Sequence, residues 1–308
     1  MKINIDSKIQ AHPAPAPVIR TDPTKFEFSY SSLTTAECPR KFYISKILKL
    51  NYPGGSVDTV FGSAMHEGVA QFYLTTGQEL QARKLATIKA FMEAWKSGQM
   101  AGSKTKNAEQ GVQLLNRYVD YYHDDGSVVE EVEKYRLVDM PNGTKLGSKL
   151  DRLEKSAGFV IVDTKTTGGY LTPYFFKKYE NSFQLLLYGE VILRHYGIDY
   201  DSVLVDAIST PSRPDGKHSN FVRRTFCYTE LQRKEALRTY IYKSDILQEK
   251  IAKILPRIDD EKYGEEVFPC NQRLCADWGG CPYLSLCMYG LQDKALRAPF
   301  SGGATCTH

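Results

Sequence analysis

Phe159-Val160-Ile161-Val162-Asp163-Thr164-Lys165-Thr166 is the stretch on which the fold turns. Side chains of a strand alternate between its faces, so Phe159, Ile161, Asp163 and Lys165 share one side. An otherwise apolar strand thus ends in two charges, which is costly unless they meet a partner, a metal or water. Just upstream lies Gly147-Ser148-Lys149-Leu150-Asp151-Arg152, and Ser156-Ala157-Gly158 between the two has turn chemistry. A turn centred on Ala157 sets Asp151 opposite Asp163, so that two carboxylates converge beside one ammonium. Such a set suits a hard divalent cation, Mg²⁺ or Mn²⁺, bound through oxygen. The cation can polarise a phosphodiester and lower the pKa of a bound water, while Lys165 orients that water or offsets charge on phosphorus. Taken alone, Asp-x-Lys reads first as an ordinary ion pair at a sheet end.

Working outward, the alternation continues on both sides. Strands are predicted over 128–138, 145–154 and 159–166, with Pro141-Asn142-Gly143 as a turn. A helix follows over 174–196, then strands over 202–209 and 221–228 and a charged helix over 230–254. Toward the N-terminus the spacing becomes helical. An ordered stretch runs from Phe28 to Leu50 with Ser31 or Ser32 as N-cap. After the turn-rich Tyr52-Pro53-Gly54-Gly55, one helix runs through Phe61, Met65, Val69 and Phe72, and two more cover 79–97 and 107–123. Three consecutive strands, a helix and another strand imply a mixed α/β (α+β) fold with at least one crossover. The proline-rich 1–24 reads as a flexible leader and 291–308 as a flexible tail. Between them lie a helical region (25–127), a core (128–255) and a cysteine-bearing segment (256–290), expected to form one unit.

At 42% hydrophobic and 12% aromatic residues, the chain has ample material for a buried core. A net charge of +4 allows a local basic groove but does not by itself require nucleic acid. No apolar run approaches the roughly 20 residues that span a bilayer, and Met1 to Asp22 has no signal-peptide core. No membrane association and a cytoplasmic location are therefore expected. Seven cysteines fit a complete disulfide framework poorly. Four of them, Cys270, Cys275, Cys281 and Cys287, crowd one short segment, which suggests metal or cluster ligation.

Single residues carry weaker signals. His66 sits on a helix that Gly62 lets pack closely, and alone it reads as an ordinary surface or core histidine. Gln184 and Tyr188, four apart, share a helix face. Glu67 reads as a solvated position, and the run Glu130-Glu131-Val132-Glu133 as a solvated strand edge. His123, His195 and His218 read as structural, Cys227 as core and Cys306 as a tail thiol. Lys41, Lys46, Lys49, Arg223 and Arg224, with some of the 20 tyrosines, could serve a single DNA strand.

Taken in order, Cys38-Pro39-Arg40-Lys41-Phe42, Phe61-Gly62…His66, Gly147…Asp151-Arg152, Val162-Asp163-Thr164-Lys165-Thr166, Gln184…Tyr188 and Cys281-Pro282-Tyr283…Cys287 resemble the PD-(D/E)XK nucleases of the RecB type. Within that superfamily the set most resembles the CRISPR-associated iron–sulfur exonucleases and their phage-borne relatives. The motifs span about residues 29–289, and each is weak alone while the ordered set is specific. The resemblance implies metal ligation by His66, Asp151, Asp163 and the Thr164 carbonyl, with Lys165 as the catalytic lysine. It implies that Gln184 and Tyr188 help hold the substrate strand, and that Cys38, Cys275, Cys281 and Cys287 bind a [4Fe–4S] cluster. Five residues, rather than two, separate Cys275 from Cys281, so Cys270 is an alternative third ligand; zinc is the rival metal. The implied activity is hydrolysis of single-stranded DNA or DNA ends, alongside recombination, repair or CRISPR integration proteins. The alternatives are an inactive cluster-bearing DNA-end adaptor, or the nuclease subunit of a helicase–nuclease whose motor is a separate chain, since no phosphate-loop motif is present.

Overall fold

The computed structural model describes residues 27–50, 56–98, 102–155, 158–211, 220–276, 280–291 and 297. The leader, Tyr52 to Gly55, the Ser156-Ala157 turn, His218 and Cys306 lie outside them. The elements in chain order are β1 (Glu27–Phe28), α1 (Tyr30–Thr35), α2 (Pro39–Phe42), α3 (Val57–Leu74), α4 (Leu80–Ser97) and α5 (Ala108–Tyr122). There follow β2 (Val129–Asp139), β3 (Lys145–Lys155), β4 (Phe159–Thr167), α6 (Pro173–Lys177), α7 (Phe183–Tyr196), β5 (Tyr200–Ser209) and β6 (Phe221–Phe226). The chain ends in α8 (Glu230–Ile254), α9 (Glu261–Val267) and α10 (Leu284–Tyr289).

The mixed α/β expectation holds. One sheet has the order β1-β3-β4-β5-β6, with β2 on the other edge of β3. β2, β3 and β4 run antiparallel, and β4 pairs β5 in parallel across a helical crossover. β1 and β4 share one edge of β3, β1 at Lys145–Leu146 and β4 from Arg152 onward. Between them that edge forks. Asp151 stands at the fork, one residue before the terminal β3–β4 ladder pair, Arg152 with Val162. Counting the register one step on sets Asp151 against Asp163, as the turn geometry predicted.

Three apolar cores hold this sheet. One joins Leu150, Leu153, Ile161 and Val205 to Leu185, Leu186 and Ile192 of α7. The second joins Ile208 and Phe221 to α3, α4 and α5 through Phe61, Phe72, Phe91 and Tyr118. There Gly111 lets α5 lie on Phe91, whose ring a Cβ would overlap at 2.0 Å. The third unites the two ends of the described chain: Phe42, Tyr43 and Ile47 pack with Ile251, Phe268, Tyr283 and Leu286.

Three local expectations are corrected. The first helix is capped by Ser29, with Ser32 closing a capping box, so neither Ser31 nor Ser32 is the N-cap. The helix expected over 174–196 is two helices, because Ser182 restarts the chain as the N-cap of α7. Cys227 falls just beyond β6 and is exposed, not core.

Candidate active site

The fork in the sheet leaves room for side chains where ladder bonds would otherwise run. The Thr164 amide, past the last β3–β4 pair, donates to Asp151 Oδ2 at 2.7 Å. His66 reaches the same oxygen from α3, with Nδ1 at 3.3 Å. α3 lies close enough for this because Gly62 faces Thr166: a Cβ there would sit 3.2 Å from Thr166 Oγ1. Burial pushes the Asp151 carboxyl up, but His66, Lys165 and the Thr164 amide more than offset it, leaving a net downward shift. For His66 burial acts downward and Asp151 upward, and Asp151 wins.

Lys165 comes from the same face of β4 as Asp163, and Nζ donates to Asp163 Oδ1 at 2.9 Å. The ammonium also donates to Gln184 Oε1 at 3.3 Å, and Gln184 Nε2 donates to the Tyr188 hydroxyl at 2.7 Å. One turn of α7 thus fixes the lysine head. Asp163 is 1% exposed. Burial pushes its pKa up to about 6, Lys165 acting downward and Asp151 upward. Oδ2 lies 2.8 Å from the same ammonium, so Lys165 meets both oxygens of the carboxylate.

Glu133 completes the cluster and was not expected there. It occupies the β2 position between the pairs Val132↔Arg152 and Lys134↔Leu150, beside Asp151. Its backbone is left-handed, φ 52°, which a non-glycine residue adopts only under local constraint. The carboxylate lies 2.6 Å from Lys149 Nζ. Burial raises its pKa, partly countered by Lys149. One ligand atom each from His66, Glu133 and Asp151 lie within 4.8 Å of one another, close enough to hold one metal ion. Carboxylate oxygen with a single imidazole is a donor set that hard divalent cations accept. Glu67, by contrast, is exposed, as the solvated reading had it.

Arg223, expected to meet phosphate, is committed elsewhere. It pairs with Asp125 at 2.7 Å and with buried Asp206 at 3.2 Å. Fully buried Arg152 adds its guanidinium over the Tyr73 ring at 3.7 Å. Behind the acidic centre, then, lies a buried ion-pair network rather than a DNA contact. Arg224 remains exposed.

The cysteines gather in a separate group. Cys38 is the N-cap of α2 and is buried. Its sulfur accepts from the Asn271 amide at 3.4 Å. The Cys281 amide donates to the Cys275 carbonyl at 2.8 Å. All are free thiols. Burial pushes the Cys287 thiol up to about 12, with Arg40 acting downward and Cys281, Cys38 and Cys270 upward. The Cys275 thiol is likewise raised, by burial and then by Cys281, Cys38 and Cys270. Five thiols therefore share one electrostatic neighbourhood, Cys270 the exposed member.

A family profile described as the PD-(D/E)XK nuclease superfamily matches residues 27–288. The chain belongs to the PD-(D/E)XK nuclease superfamily. The chain is accordingly a hydrolytic nuclease. Solved structures that match the chain include a protein provisionally described as an exonuclease from Eubacterium rectale, at 15% identity and a TM-score of 0.49, over 80% of this chain and 85% of that one. Another is the alkaline exonuclease LHK-Exo from Laribacter hongkongensis, at 10% identity and a TM-score of 0.31, over 65% and 98%. LHK-Exo in complex with dAMP matches at 12% identity, TM-score 0.35, over 66% and 98%. No curated protein sequence matches significantly. Among the described residues no helix is long and apolar enough to cross a membrane.

Proposed function

We propose that this nuclease is a Mg²⁺- or Mn²⁺-dependent deoxyribonuclease acting on single strands or DNA ends. The observation that carries the reading is the fork: Asp151 and Asp163 from adjoining strands, His66 against Asp151, and Lys165 between Asp163 and Gln184. His66, Asp151, Asp163 and the Thr164 carbonyl would hold the ion, with Glu133 as a further ligand. In an extended strand a residue's N–H and C=O point to the same edge, so the Thr164 carbonyl opens toward Asp151 as its amide does. A divalent ion held there would polarise the scissile phosphate and lower the pKa of a bound water. Lys165 supplies the ammonium that orients the attacking water and offsets negative charge on phosphorus. Gln184 and Tyr188 hold that ammonium in place.

The cysteine end is the second part of the proposal. Cys38, Cys275, Cys281 and Cys287 would bind a [4Fe–4S] cluster, Cys270 being the alternative to Cys275. The shared neighbourhood of the thiols and the amide donated to the Cys38 sulfur support this reading, since hydrogen bonds to sulfur are a feature of such sites. The ordered motifs favour exonuclease action in phage recombination, DNA repair or CRISPR spacer acquisition. Labelled single-stranded DNA incubated with Mn²⁺, Mg²⁺, Ca²⁺ or chelator tests the activity. Hydrolysis with Mn²⁺ or Mg²⁺ and binding with little hydrolysis in Ca²⁺ are expected; no cleavage under any of them overturns the proposal.

A further inference from the structure

The segment between β4 and α7 is built around a hollow that the catalytic groups do not use. A cavity of about 450 Å³ opens there, lined by Tyr170, Tyr174, Phe175, Lys177 and Lys178 among others. It begins two residues beyond Lys165, at Thr167. Its rim is pinned: Ser209 Oγ donates to the Gly169 carbonyl at 2.8 Å, and the Gly169 amide donates to Thr167 Oγ1 at 3.1 Å. The Thr172 amide donates to the Tyr170 carbonyl at 2.9 Å, and Thr172 then caps α6. These bonds turn the chain so that α6 presents its aromatic and cationic side chains together.

Their exposure is unusual for their chemistry. Tyr174 is 85% exposed, a large ring with no packing role of its own. Lys177 and Lys178 are exposed, and neither forms an ion pair with a described residue. Lys178 instead lies over two rings, 4.6 Å from the Phe175 centroid and 5.0 Å from that of Tyr179. The Lys178 ammonium also responds to the catalytic pair: after burial, Lys165 lowers its pKa and Asp163 raises it. The platform therefore sits within electrostatic reach of the catalytic centre. Aromatic faces beside unneutralised lysines are the combination that holds a single strand, the rings stacking on bases and the ammonium groups meeting phosphates. A duplex offers no unpaired face to such a hollow.

Resting on the deoxyribonuclease reading above, we infer that this cavity receives one unpaired base of the substrate strand next to the scissile phosphate. Tyr174 and Phe175 stack on that base, and Lys177 and Lys178 hold its flanking phosphates.

The test uses the full chain and a fluorescent DNA 10-mer, with affinity measured in Ca²⁺ and cleavage in Mn²⁺. Tyr174→Ala is expected to weaken single-strand binding roughly 5- to 150-fold, the span that base–aromatic stacking covers. It should act through KM more than kcat, while Tyr174→Phe stays near wild type. An abasic residue walked along the 10-mer should cost affinity at one position in the wild type and not in Tyr174→Ala. Lys177→Ala with Lys178→Ala should flatten the salt dependence by about 0.7 per lysine. Wild-type cleavage with all variants binding alike overturns the assignment, as does an equal loss on blunt duplex. A wild type that neither binds nor cleaves single strands defeats the deoxyribonuclease reading itself, and this site with it.

Discussion

The acidic fork and the cysteine seam are organised on opposite principles. At the fork each charge is met by an opposite one: Asp151 by His66, Asp163 by Lys165, Glu133 by Lys149. The seam has thiols rather than ions at its centre, and its cohesion comes from ordinary protein bonds around them. Arg40 donates to the carbonyls of Phe268 and Glu265 at 2.8 and 2.7 Å, and Asn271 donates to that of Glu37 at 3.0 Å. Tyr43 stacks on Phe268 with centroids 5.3 Å apart. Charge is thus positioned for chemistry in one region, and chain ends are joined in the other. The two should fail differently.

The largest difference is expected from Asp163→Asn. Cleavage should fall to background, beyond the roughly 10²–10³-fold that one stabilising donor supplies. The fold should persist, because burial makes the charged form of this carboxyl costly. A melting temperature close to wild type alongside lost activity is the expected pair of measurements, and retained cleavage contradicts the catalytic role. Cys281→Ala sharpens the contrast from the other side. It should remove the visible absorbance of the purified protein while leaving it folded, since Arg40, Asn271 and Phe268 still close the seam. An unchanged visible spectrum removes the cluster from this position.

Much of the fork was legible because a hairpin converts spacing into contact. Asp151 and Asp163 lie at equal distances from a turn, and alternation alone puts Lys165 beside Asp163. Gly62 signalled the close approach of α3. Glu133 was hidden for a physical reason: it belongs to a third strand whose register cannot be read from its own sequence. Its neighbours Glu130 and Glu131 make the run look like a solvated edge, and the edge reading is right for exposed Glu130. Glu131 also points inward, paired with Arg136, but within the run it is Glu133, at the left-handed backbone position, that joins His66 and Asp151. The break between α6 and α7 was equally obscure, because apolar spacing continues across it and the cap at Ser182 is a weak local signal. Within the acidic run, Glu133→Gln should lower metal affinity or activity about 10- to 100-fold, the usual cost of disturbing a metal site's support. Glu130→Gln should change neither. Equal behaviour of the two in a Mn²⁺ titration would return Glu133 to the solvated edge.

The smallest effect isolates the seam's own strength. The Tyr283 hydroxyl donates to the Leu50 carbonyl at 3.0 Å, tying the cysteine segment to the end of the N-terminal stretch. The tyrosine is 5% exposed, so the carbonyl left behind in Tyr283→Phe cannot easily recruit water. Losing one such bond costs about 1–3 kcal/mol when the partner stays buried and unsatisfied. Chemical denaturation should register that loss with the colour and the cleavage rate of the folded protein unchanged. If Tyr283→Phe instead bleached the protein, the thiols would depend on this bond for their placement, and the seam would be a support for the cluster rather than a join that stands without it.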